Sequence, residues 1–431
     1  DSNVVIGHNV ASNLSSGGAN VAIGHDALLA TTTQDNNTAV GYQALRANTA
    51  GNNTAFGKNA LVLNTTGTLN VAVGVDALAA NTTADANVAV GREALAANTT
   101  GTRNTVVGTS AGVTMSTADD NTAVGYVALK DNTAYRNVAV GSYALTENTG
   151  GANNTAVGHN SLYTQTTGAQ NVAVGTSAGY AITDATYNTL VGYQAGVAIT
   201  TGANNIAIGG NAMSALTTGT RNLAIGVQAY DDSDTENDNI AIGYQAMTVN
   251  TAGGNANLAI GNYAGDSISS GDKNVCLGHL AGSAVDTGNF NICVGEGAGA
   301  GVTSGTDNVM IGYQTGNNDR GTTTGRFNVV IGAAADTSAV DSNNEVILGY
   351  NVNGNGNNTF AFGNGANDSA IAFGATSISA PSDIRLKENI SDTTAGLSFI
   401  NDLRPVTFNW KKEKDIPEEM KAHKAGSENR Y

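Results

Sequence analysis

Short apolar phrases alternate with longer polar stretches through residues 1–375, about every seventeen residues, and each phrase closes on a glycine. The series runs Gly7, Gly24, Gly41, Gly57, Gly74, Gly91, Gly108 and onward to Gly312, then less evenly through Gly332, Gly349, Gly363 and Gly374. A phrase reads Asn, an apolar residue or Thr, usually Ala, an apolar residue, then Gly, as in Asn20 to Gly24, Asn121 to Gly125, Asn171 to Gly175 and Asn222 to Gly226. Three residues past each Gly up to Gly312 stands another Ala, with Val10, Ser161 and Thr315 as exceptions. The alternation predicts a short strand with Val or Ile on one face and Ala on the other. A second short strand is expected around the later Ala, as in Gly41 to Leu45, with polar turns between. Such a unit is too short to hold a strand, a helix and two turns.

A short unit held this long is a stack of copies, so the fold class is all-β: a parallel solenoid of about 17-residue coils. With coils roughly 4.8 Å apart, about 22 intervals give roughly 105 Å. Val and Ile columns are expected to form a thin apolar seam, and Asn to ladder on Asn. The glycines permit turn dihedrals or close backbone approach.

Composition narrows the picture. There are 55 Gly and 3 Pro, the prolines all at or beyond Pro381, and the hydrophobic residues are mostly Ala and Val. The core is therefore narrow and built from small side chains, with no room for a wide cavity. One such coil buries little apolar area against its ordering entropy, so homo-oligomerisation, which covers a further face, is the physical expectation. Cys276 and Cys293 take the middle Ala position of their phrases and read as buried small hydrophobes.

Charge divides the chain. Residues 382–431 carry nine Lys or Arg and nine Asp or Glu, which leaves the whole net charge of -16 to residues 1–381. An acidic body of this kind attracts neither nucleic acid nor an anionic bilayer, and no apolar run is long enough to insert into a membrane. The chain opens at Asp1 without a signal-like segment, as expected of a processed chain, an excised fragment or a protein exported by another route.

The phrases Asn20 to Gly24 and Asn121 to Gly125 resemble the head repeats of YadA-like trimeric autotransporter adhesins, a left-handed parallel β-roll. The resemblance implies a parallel homotrimeric fibre exposed outside a cell or particle and used for adhesion. The coils here are longer than the usual head unit, which places bulkier loops on the outside. Neither a heptad stalk nor a membrane barrel is expected after Gly374.

Periodicity ends there. The organisation expected is a β-roll over 1–375, a linker over 376–381 and a small C-terminal α+β segment over 382–431. Larger core residues appear in it, Phe399, Ile400, Phe408 and Trp410. The phrases Ser382-Asp383-Ile384-Arg385-Leu386-Lys387 and Leu403 to Trp410 resemble the intramolecular chaperone of the peptidase S74 family, found in phage tail spikes, tail fibres and some bacterial surface fibres. The resemblance implies that Ser382 and Lys387 carry a single-turnover self-cleavage once the trimer has folded. Ser382 would attack the preceding peptide bond and Lys387, if neutral, would take the proton.

The expected function is attachment to a surface or host receptor by an extracellular fibre, on a virion tail or a bacterial cell. The partners are a homotrimer and a cell-surface glycan or protein receptor, with no cofactor and no metal. Tyr42, Tyr126, Tyr193 and Tyr244 follow their phrase-ending glycines and form a candidate glycan-facing column. The alternative is a purely structural self-assembling surface filament. Substrate hydrolysis is not expected: Asp35, Glu93, Asp120 and Glu236 are scattered, and no carboxylate pair stands out.

Overall fold

The computed structural model describes residues 2–249, 253–317, 323–365 and 368–375, together with 412–415, 417–418 and 425–428 in the tail. Two units divide the chain, Asp1–Ala380 and Pro381–Tyr431. The first is a parallel β-solenoid of about 21 turns, built on a 23-stranded sheet from β1 (Val4–Ile6) to β23 (Ser369–Ala372). Each strand pairs with the next in sequence, in register: Val21 on Thr38, Ala22 on Ala39, Ile23 on Val40. All pairings are parallel until the last, where β22 (Thr359–Gly363) meets β23 antiparallel, Phe360 opposite Ile371. At about 4.8 Å per turn the stack rises about 100 Å.

Most strands have only three residues, and the following glycine explains why. Gly24 has φ +130°, and a Cβ there would stand 2.5 Å from Gly41 O of the next turn. Gly91 (φ +138°) and Gly158 (φ +133°) meet their successors at the same 2.5 Å. No side chain fits and the dihedral is unfavourable to L-residues, so the glycine column is obligatory.

The strand faces are oriented opposite to an inward Val and Ile seam. Ala22, Ala39 and Ala173 at the strand centres are fully buried, while the flanking Val and Ile point outward, Ile206 being 40% and Ile208 38% exposed. The interior is narrow, so the centre takes Ala at most turns, with Val106, Leu190, Met310, Val330 and Ile347 buried there among the exceptions, and most of the larger core members come from elsewhere. They are a column four residues past the glycine: Leu28, Leu45, Leu61, Leu78 and Leu95, all fully buried.

That column also replaces the expected second strand. Gly41 to Leu45 is a turn: Gln43 (φ +57°) and Leu45 (φ +54°) are left-handed, and Ala44 N–H donates to Gly41 O at 3.4 Å. The ladder between turns nevertheless continues through it. Gln43 N–H donates back to His25 O at 2.9 Å, and Leu45 N–H donates forward to Ala60 O at 3.0 Å. These satisfied backbone groups and the buried Leu offset the cost of left-handed φ in non-glycine residues.

In the second unit a 3-10 turn spans Glu413–Asp415, and Lys412 and Lys414 both pair with Glu428. The remainder of the expected α+β segment and the 376–381 linker lie outside the described residues.

Candidate functional site

The recurring Asn works between turns. Asn20 Oδ1 accepts from Asn37 N–H at 2.9 Å, and Asn20 Nδ2 donates to Gln34 O at 2.9 Å. Asn121, Asn171 and Asn222 do the same: each Oδ1 accepts from the backbone of Asn137, Asn188 and Asn239, and each Nδ2 donates to Ala134 O, Ala185 O and Glu236 O. The ladder is thus mainly amide to backbone, each side chain fixing the loop of the following turn. Buried donors and acceptors are costly unless paired, so each of these asparagines is structural.

A second ladder had no counterpart in the sequence reading. Asn64 Nδ2 donates to Asn48 Oδ1 at 2.7 Å, Asn81 to Asn64 at 2.7 Å and Asn98 to Asn81 at 3.0 Å, all buried. It stops where Met115 occupies the next position, and Asn98 Oδ1 has no hydrogen-bond partner. The signal lies in a pairing of columns. Where the buried left-handed residue is Leu, a polar residue follows three places on, as in Leu95 and Asn98. Where it is Gly, an apolar residue does in Gly112 and Met115, Gly179 and Ile182, Gly196 and Ile199, Gly265 and Ile268, Gly282 and Val285 and Gly299 and Val302, but not after Gly316, which Asp319 follows.

The four tyrosines of the expected column are all exposed, Tyr42, Tyr126, Tyr193 and Tyr244, but they do not form one continuous aromatic stripe. Tyr42 stacks on His25, which stacks on His8, at 5.4 and 5.1 Å between centroids. Tyr244 meets Tyr263 edge-on at 5.4 Å, and Tyr263 approaches His279 at 6.2 Å. Among the described residues Tyr193 joins no ring pair. Tyr126 belongs to the largest group: it meets Tyr143 at 5.3 Å and 86°, Tyr143 contacts His159 at 6.1 Å and Tyr163 at 6.3 Å, and Tyr163 stacks on Tyr180 at 5.3 Å and 5°. Burial, with Tyr126 close by, raises the Tyr143 hydroxyl above the usual tyrosine range.

The scattered carboxylates have separate local roles. Asp35 accepts from Gly18 N–H at 2.6 Å, Glu93 pairs with Arg92, Asp120 takes a two-pronged bond from Arg103, and Glu236 accepts from Asp234 N–H. Among the described residues no cluster of three His, Cys, Asp or Glu is placed to hold a metal ion, and no helix is long and apolar enough to cross a membrane. Cys276 and Cys293 sit in register on adjacent turns, buried and unbridged. Their hydrogen bond, then burial, pushes the Cys276 thiol well above its ordinary range.

Ser382 and Lys387 lie outside the described residues. Residues 382–427 match the Peptidase S74 family, described as chaperone of endosialidase. No curated protein matches the chain. A parallel β-solenoid followed by a chaperone-of-endosialidase domain fits a tail-fibre-like protein with β-roll repeats.

Proposed function

We propose that this chain is the shaft of an extracellular trimeric fibre, on a phage tail or a bacterial surface, that attaches to a surface or host receptor. Its order of parts carries the reading: a long parallel solenoid leading into a match to a chaperone of endosialidase. The outward Val and Ile columns support the trimer. Ile206, Ile208, Ile225 and Ile292 lie exposed on one sheet face of the single chain, and three such faces packed about a common axis would bury them. In the tail, Ser382 Oγ attacks the Pro381 carbonyl carbon while Lys387 takes the proton; the Pro381–Ser382 C–N bond breaks as the leaving amine takes that proton back, which leaves Pro381 esterified to Ser382 Oγ, and water then hydrolyses the ester and releases the chaperone segment once the shaft has folded. Lys387 acts as a base only when neutral, which requires burial or a neighbouring positive charge such as Arg385.

Comparison of the native chain with Ser382→Ala by mass spectrometry and analytical ultracentrifugation tests this. The expected result is a trimer that loses its C-terminal fragment only when Ser382 is present. An intact monomer in both would overturn the proposal.

A further inference from the structure

We propose that Tyr126, Tyr143, His159, Tyr163 and Tyr180 form a binding platform for a neutral, hexose-rich glycan. The proposal rests on the attachment reading and names the ligand class of that attachment.

The aromatic side chains come from four successive turns, those of Thr122–Val124, Val138–Val140, Thr155–Val157 and Val172–Val174. The crossed set recurs at Tyr244, Tyr263 and His279, and here Tyr163 and Tyr180 extend it. The position of Tyr126 and His159 is filled by Lys58, Val75, Arg92 and Thr109 in four consecutive earlier turns. Turns that stack equally well without these rings do not need them as coil filler. The rings are also set differently from the His8, His25 and Tyr42 stack: Tyr126 and His159 cross Tyr143 at 86° and 89°. A crossed set presents both faces and edges, and Tyr126 is 50% exposed.

The polar side chains beside the rings suit a sugar. Ser142, Asn160 and Ser177 lie on the same turns, none of them buried, and among the described residues their side chains make no hydrogen bond. They offer hydroxyl and amide groups to sugar hydroxyls, while the C–H face of a hexose ring packs on tyrosine. The charges nearby select against anionic chains: Lys130 is paired with Asp131, and Glu147 follows on the next turn. In a trimer the platform would occur three times, so weak contacts would add by avidity.

Affinity electrophoresis of the purified full-length chain tests the platform, in gels containing dextran, laminarin or mannan as neutral probes and polygalacturonate as the anionic one. The native chain is expected to be retarded by at least one neutral polymer and not by polygalacturonate. Tyr143→Ala with Tyr163→Ala should weaken retardation on the order of tenfold, whereas Tyr143→Phe with Tyr163→Phe should retain most of it. If the alanine pair fails to fold by circular dichroism, Tyr126→Ala at the platform's edge gives the same readout. Absence of retardation by every neutral polymer, a preference for polygalacturonate, or equal retardation of the alanine variant overturns the platform. Fluorescently labelled protein applied to bacterial cells separates the two levels. Adhesion that survives the alanine substitutions overturns the platform and leaves attachment standing; failure of the native protein to adhere to any cell overturns both.

Discussion

Gly265 and Ile268 fill one cross-section of their turn in complement: a Cβ on Gly265 would stand 2.8 Å from Ile268 Cδ1. Leu78 and Asn81 divide the same space the other way, with the large apolar side chain first and the amide second. Gly265→Leu should therefore destabilise the solenoid by about 1–3 kcal/mol through overpacking. The backbone is not the obstacle, since Leu78 itself has φ +50° and Gly265 has φ +56°. Adding Ile268→Asn should restore more than half of the loss, because the new amide would lie three residues before Gly271, as Asn64 lies before its acceptor Gly67 O. A double-mutant cycle by thermal unfolding measures this, and strict additivity would refute the complement.

Asn171→Ala removes the acceptor for Asn188 N–H and the donor to Ala185 O, two bonds of 2.9 and 2.8 Å in a buried setting. Leaving both partners unsatisfied should cost about 2–4 kcal/mol. Gly91→Ala should cost about as much, roughly 2 kcal/mol or more, through its +138° φ and the contact with Gly108 O. Denaturant titration of the two variants, with an exposed loop substitution such as Thr167→Ala as control, gives the comparison.

Asp266 gives the solenoid a pH dependence of definite sign. Burial holds its carboxyl above the usual range, against the pull of backbone N–H groups at Asp266 and Ser267, and its Oδ1 has no hydrogen-bond partner. A folded pKa above the unfolded one favours the fold at low pH, and this contribution is lost as pH rises through the folded value. Asp266→Asn should therefore raise the Tm at neutral pH and lose that advantage near about pH 3. Asp120 and Asp238 run the opposite way. Arg103 and Arg221 hold them below the usual range, so their contributions are present above the unfolded pKa and fade as pH falls, and their exposure keeps these small.

Cys276 and Cys293 should be unreactive toward a thiol reagent in the folded chain. Both are fully buried, and each Sγ fills the space before a glycine of its own turn, Gly282 and Gly299 respectively. Labelling should follow global unfolding, with both thiols reacting together in denaturant. Fast labelling of either under native conditions would contradict this packing.

The stack, its register and its glycines were legible because Gly24, Gly91 and Gly158 face the same geometric demand in every turn. The direction of the strand faces was not. A period of two separates Ala22 from Val21 and Ile23 but does not say which set lies inside. The answer came from the width of the interior, shared with Leu28. The second strand failed at Gln43 and Leu45, since neither residue type announces a left-handed backbone. Tyr126 was legible as an exposed aromatic, yet its partners Tyr143, Tyr163 and Tyr180 occupy other columns, and only the coiling brings them together. The second amide ladder, from Asn48 to Asn98, was hidden because its signal is a correlation between two columns.

The strand β23 runs against all those before it. An incoming chain that tried to extend the stack past β22 would find its parallel edge already bonded in the reverse sense, Phe360 to Ile371 and Phe362 to Ser369. The edge of β22 is thus closed to a further parallel turn, while the first strand, Val4–Ile6, keeps an exposed edge at the other end of the sheet.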